Sequence, residues 1–94
     1  MTYYVYMLLN CASNRKVSYV GYTSNLKKRI LLHNSSKGAK FTKGRKWILI
    51  YKKKYFNKSD ALKNEYKLKK NSILRKKLSL LVVKILYLFF YLRN

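Results

Sequence analysis

Two short runs rich in aromatic and β-branched residues, 3–9 (YYVYMLL) and 17–22 (VSYVGY), are separated only by the polar stretch NCASNRK. Residues of these kinds suit a pleated, half-buried surface, and so short a polar connection predicts a β-hairpin. Thr23 or Ser24 can then cap a helix running to about Asn34, in which Leu26, Ile30 and His33 recur at helical spacing. The stretch 35–46 (SSKGAKFTKGRK) carries two of the three glycines and five cationic residues, and reads as a mobile basic loop. A third strand is expected over 47–56 (WILIYKKKYF), apolar first and lysine-rich where it leaves the core.

Asn57, followed three positions later by Asp60, resembles a capping box built from shorter side chains. It opens a helix to about Lys70, with Ala61, Leu62, Tyr66 and Leu68 as its apolar positions. The element order β-β-α-β-α predicts an α+β (α/β-class) domain over 1–77, with a small three-stranded, at least partly antiparallel sheet flanked by helices. Beyond it, 78–94 forms an apolar tail expected to be helical, broken mainly by Ser79 and Lys84 and preceded by Arg75, Lys76 and Lys77. Residues 78–92 as a helix span about 22 Å, short of the roughly 30 Å hydrocarbon thickness of a bilayer. Packing on the domain or self-association as a homodimer is therefore favoured over membrane contact, with a partner protein as another occupant.

Charge decides the kind of partner. The chain carries 23 Lys and Arg against 2 acidic residues, a formal net charge of +21 on 94 residues. A field of this size requires a polyanion, and nucleic acid is favoured over an anionic membrane surface because phosphate neutralisation releases condensed counterions. The bland alternative is an AT-rich genome that writes Lys, Asn, Tyr and Ile everywhere. With 49% hydrophobic residues the chain can nevertheless build a core and is more than a basic tail. Cys11 is the single cysteine and His33 the single histidine, so an intramolecular disulfide and the usual structural zinc sets are excluded, and a reducing, cytoplasmic compartment is expected. The first ten residues lack the charged start and cleavage-like site of a signal peptide.

Only Asp60 and Glu65 are available as acids. Five residues apart on a helix, they lie about 140° from each other and cannot share one ion. This excludes an acidic two-metal cluster and the paired carboxylates of glycosidases. Asp60 suits the positive end of the helix. Read from the residues alone, Glu65 is satisfied by an exposed pair with Lys69 one turn on.

A family resemblance adds to this reading. Tyr4-Val5-Tyr6 followed by Tyr19-Val20-Gly21 resembles the two short motifs that name the GIY-YIG nuclease superfamily. Tyr22-Thr23, LKKR at 26–29, His33-Asn34, GAKFT at 38–42 and KSDALKNE at 58–65 stand in the family's order, most like its short stand-alone bacterial members. The resemblance implies a three-stranded sheet flanked by helices, and a metal-dependent endonuclease acting on DNA, in repair or recombination. It implies that Glu65 holds one divalent ion, Mg²⁺ or Mn²⁺, and that Tyr6 or Tyr19 helps to activate the attacking water. Tyr6 is taken as the base and Tyr19 as a phosphate or water ligand. A phenol with a reference pKa of about 10 needs help to give up its proton, and His33 is the candidate acceptor. Arg29, four residues before His33 and on the same helical face, suits a phosphate clamp because its planar fork binds oxygen atoms bidentately.

Gly21 marks a strand end where phosphate or another backbone comes close, or an ordinary bulge. Lys27, Lys28, Lys40, Lys43 and Arg45 are expected to line the substrate approach without reading sequence. Three departures stand out: the first motif lacks its glycine, Tyr22 replaces a basic residue that some members have, and the asparagine that many members place about twelve residues after the metal glutamate is here Lys77, with Asn71 as the nearest substitute. A catalytically silent nucleic-acid-binding module and a membrane-associated basic protein are the rival readings.

Overall fold

The computed structural model describes residues 1–10 and 17–93. Cys11 lies outside the described residues. The predicted hairpin is formed by β1 (Tyr3–Asn10) and β2 (Val17–Thr23), and β3 (Ile48–Tyr55) lies on the other side of β1. All pairings are antiparallel, in the order β2-β1-β3. β1 is thus the central strand, and Val5–Leu9 have almost no exposed surface. A strand covered on both faces needs no polar alternation, which is why YYVYMLL reads as a nearly continuous apolar run.

Alternation still sorts the side chains by face. Val5 and Met7 join Val20 with Ala61 and Leu68 of α2 (Lys58–Lys70). Tyr6 and Leu8 face the other way, packing with Trp47, Tyr19 and Leu49 and with Leu26 and Ile30 of α1 (Leu26–Asn34). The two helices therefore cover opposite faces, and the β1–β3 register shifts between Met7 and Leu8.

The start of α1 differs from the expectation. Asn25, not Thr23 or Ser24, is the cap, its side-chain oxygen accepting from the Lys28 backbone N–H at 3.1 Å. Thr23 contributes one step earlier, with its hydroxyl oxygen accepting from the Asn25 N–H. The cap of α2 is as expected: Asn57 accepts from the Asp60 N–H at 2.8 Å and donates to the Asp60 carboxylate at 2.8 Å. Of the apolar positions of α2, Leu62 and Tyr66 are exposed, because the helix rests on the sheet through Ala61 and Leu68.

A third helix, α3 (Ser72–Arg93), begins where α2 ends and runs unbroken through position 77. Asn71 caps it by accepting from the Leu74 N–H at 3.0 Å, so the nearest substitute for the family's asparagine is committed to a helix start. α3 meets the body along a stripe of Arg75, Leu78, Ser79, Val82 and Val83, and from Lys84 onward every described residue is exposed. The expected packing of the tail is thus confined to its first half. No helix among the described residues is long and apolar enough to cross a membrane.

Candidate active site

β1 delivers Tyr6 to the face that α1 covers, and register explains how a ring of that size fits. Tyr6 is paired directly with Gly21 across the hairpin. A Cβ on Gly21 would stand 2.6 Å from the Tyr6 hydroxyl and 3.1 Å from the Tyr19 ring. The close approach inferred for this glycine is real, but what approaches is the Tyr6 phenol. Tyr19, two residues along β2, lies diagonal to Tyr6 with ring centroids 6.3 Å apart.

Tyr6 lies between Arg29 and His33 of α1. Near the start, Arg29 lies close enough to Tyr6 and Tyr19 for its charge to act on both phenols. In the last turn, His33 Nε2 lies 2.7 Å from the Tyr6 hydroxyl. Arg29 and His33 do share one face of the helix, as their four-residue spacing requires. The Tyr19 ring packs 4.8 Å from the His33 ring.

Burial dominates the electrostatics. It pushes the Tyr6 phenol up to about 12, against the opposing pull of Arg29, and the Glu65 charge adds a smaller upward push. Burial also holds His33 below its ordinary value, with the Arg29 charge acting in the same direction, so its neutral form is favoured. The pair is therefore a protonated phenol against an uncharged imidazole.

The segment read as a mobile basic loop is instead tied down over His33. A single 3₁₀ turn, Lys40–Thr42, buries Thr42, whose hydroxyl oxygen lies 2.9 Å from His33 Nδ1 and donates to the Ala39 carbonyl at 2.7 Å. Trp47 Nε1 donates to the Thr42 carbonyl at 3.1 Å. The Asn34 side chain brackets the Trp47 backbone, accepting from its N–H and donating to its carbonyl. Gly38 lets this closure happen, since a Cβ there would stand 2.5 Å from His33 Nδ1. Thr42, Gly38, Trp47 and Asn34 had no assigned role in the sequence reading, although the first two lie in its GAKFT element and Asn34 follows His33.

The cationic residues separate into two kinds. Lys27 and Lys28 on α1, and Lys40 and Lys43 on the turn, are exposed. Arg45 is half-buried with its guanidinium 4.8 Å over the Phe41 ring, which in turn stacks on Tyr19. A cavity of about 370 Å³ lined by Leu9, Ser18, Arg75 and Ser79 opens toward α3, on the opposite face of the sheet from Tyr6.

Glu65 comes from α2. Its side chain, 14% exposed, pairs with Lys69 at 3.6 Å, the partner read from spacing though in a pair exposed only on the Lys69 side, while its charge reaches Tyr6. Asp60 is held in its cap and both His33 nitrogens are engaged, so Glu65 is the carboxylate left for an ion. Among the described residues no group of three or more His, Cys, Asp or Glu could hold a metal. A single carboxylate still fits Mg²⁺ chemistry, in which water and substrate phosphate fill most of the coordination sphere.

Residues 2–77 match the family model for the GIY-YIG catalytic domain. The chain belongs to the GIY-YIG family. That family is generally one of endonucleases, and residues 2–77 form a domain of that type. Among similar proteins, a UPF0213 protein of Oceanobacillus iheyensis is 44% identical over 68 residues, covering 71% of this chain and 76% of the relative. Another from Lactococcus lactis is 40% identical over 82 residues, covering 86% of this chain and 77% of the relative. The UPF0213 protein of Bacillus halodurans, solved by NMR in solution, is 39% identical with a TM-score of 0.46, over 89% of this chain and 86% of that one. The Oceanobacillus and Lactococcus relatives are bacterial, as the motif order leads one to expect.

Proposed function

We propose that the protein is a metal-dependent endonuclease that hydrolyses phosphodiester bonds of DNA, with Tyr6, Tyr19, Arg29, His33 and Glu65 as its working groups. What supports this is the meeting of a neutral histidine and a guanidinium at one enclosed phenol, which also feels the charge of Glu65 from α2. In this reading Glu65 holds Mg²⁺ or Mn²⁺, which when bound supplies positive charge against the phosphate. Arg29 turns its fork from the tyrosine hydroxyls to a nonbridging phosphate oxygen, and that movement admits water to Tyr6, whose side chain has no solvent access in the free protein. The Tyr6 proton passes to His33 Nε2. The phenolate takes a proton from the attacking water as its oxygen bonds to phosphorus, and the bond from phosphorus to the leaving oxygen breaks. Tyr19, half-buried beside them, contacts phosphate or water. Lys27, Lys28, Lys40, Lys43 and Arg45 carry affinity for the backbone, and Gly21 serves by making room for Tyr6.

A second reading, a silent nucleic-acid-binding module, draws on the enclosure of Tyr6 and on the Lys69 partner of Glu65. Nicking of supercoiled plasmid with added Mg²⁺ separates the two. The nuclease reading expects cleavage by the wild type and a loss on the order of a hundredfold or more in Glu65→Ala, with DNA binding retained. Wild type and variant that are equally inert while both bind DNA would leave the binding module. If about five phosphates are neutralised, the logarithmic salt slope of binding is about −4 to −5.

A further inference from the structure

We infer that Thr42 is a positioning residue that fixes His33 as the tautomer with its proton on Nδ1, leaving Nε2 bare to receive the proton of Tyr6. The polarity of the chain of hydrogen bonds follows from its two ends. At one end the Ala39 carbonyl can only accept, so the single hydroxyl hydrogen of Thr42 lies on that 2.7 Å bond. The Thr42 oxygen is left with lone pairs alone toward His33 Nδ1 at 2.9 Å, and Nδ1 must therefore carry the hydrogen. At the other end Arg29, the cationic neighbour of Tyr6, has donors and no acceptor. Among the described residues the hydrogen-bond acceptor at the Tyr6 hydroxyl is then His33 Nε2 at 2.7 Å. Both ends demand the same tautomer. The opposite one would set two donors against each other at Nδ1 and leave the Tyr6 proton facing another N–H.

The enclosure keeps the assignment in place. Tyr6, His33 and Thr42 have no exposed surface, so water is not at hand to substitute for a lost partner. The absence of a Cβ at Gly38 is what lets the turn bring Thr42 against the ring. When the O–H bond of Tyr6 breaks and an Nε2–H bond forms, the resulting imidazolium has both hydrogens accepted, one by the phenolate and one by Thr42. The charged groups that face this pair are Arg29 on α1 and, more distantly, Glu65 on α2. The catalytic consequence of this tautomer rests on the nuclease reading above, but the tautomer itself does not.

The test uses the full chain, in which His33 is the single histidine, so one set of ring signals appears in a long-range ¹H–¹⁵N spectrum. The expected result near neutral pH is a protonated Nδ1 and an unprotonated Nε2. Thr42→Val, close in shape but lacking the hydroxyl, is expected to mix or invert the tautomers and to lower kcat on the order of a hundredfold with little change in KM. Thr42→Ser is expected to restore both. A wild-type ring protonated on Nε2, or a Thr42→Val ring that keeps Nδ1–H, overturns the inference. The wild-type spectrum decides it even where Thr42→Val fails to fold. A wild type inert toward plasmid but carrying the Nδ1–H ring overturns the nuclease reading and leaves Thr42's positioning role standing.

Discussion

β1 and the end of α3 are written in almost the same alphabet, YYVYMLL against ILYLFFYL, and meet opposite fates. In β1, Val5–Leu9 are at most 1% exposed. In α3, residues 85–92 are 47–79% exposed. The difference is one of neighbours. A central strand is offered a strand on each edge and a helix on each face, whereas the last turns of α3 extend past the end of everything they could pack against. Apolar content states what a segment would gain from cover, and topology decides whether cover exists.

The same deletion made in the two regions should give the largest contrast. Leu8→Ala is expected to destabilise the fold by about 2 to 5 kcal/mol, and Leu88→Ala to change it by less than about 0.5 kcal/mol, as read by chemical denaturation. Similar losses from both would mean that the end of α3 is covered in solution. Gly38→Ala comes next: its Cβ meets the His33 ring and backbone, and a cost of about 1 to 3 kcal/mol is expected, with the His33 ring resonances displaced. A full-strength, unshifted variant would argue that the turn does not close on His33.

The pH effect is smaller and has a definite sign. Because the folded pKa of His33 lies below its ordinary value of 6.5, the unfolded chain binds a proton first as pH falls. Stability should therefore be level above about pH 6.5 and decline below it until the folded form is protonated too. His33→Gln is expected to abolish that slope, since His33 is the single histidine of the chain. A slope of the opposite sign would place a negative charge beside the ring. Smallest of all, removal of residues 85–94 should leave the melting temperature within a few degrees while lowering any tendency to associate, which sedimentation would read. A large fall in melting temperature would sink the view that these turns contribute nothing to the core.

Most of the fold was legible because its signals are local. The two aromatic runs, the Asn57–Asp60 cap and the length of α2 all depend on residues within a turn of one another. The grouping of Tyr6, Tyr19, Arg29 and His33 was legible through motif order and helical spacing. What escaped depends on distance in sequence. Nothing within 35–46 says that its threonine will reach a histidine nine positions back, and lysine content on either side disguised an anchored turn as a solvated connector. Gly21 was noticed, yet its reason sits on another strand. Leu62 and Tyr66 stay outside the core because α2 touches the sheet along a stripe narrower than its apolar pattern suggests.

The direct pairing of Tyr6 with Gly21 makes β2 a ruler. Tyr19 and Gly21 fall on the α1 side only because an even number of steps separates them, while Val20 between them belongs to the other side. One residue inserted or lost between Tyr19 and Gly21 would carry Tyr19 away from His33 and turn it toward α2, a change of parity that no substitution could repair. Length variation before Val17 leaves that parity alone. Among relatives, insertions and deletions should thus accumulate ahead of the strand and be absent from the three positions Tyr19–Gly21.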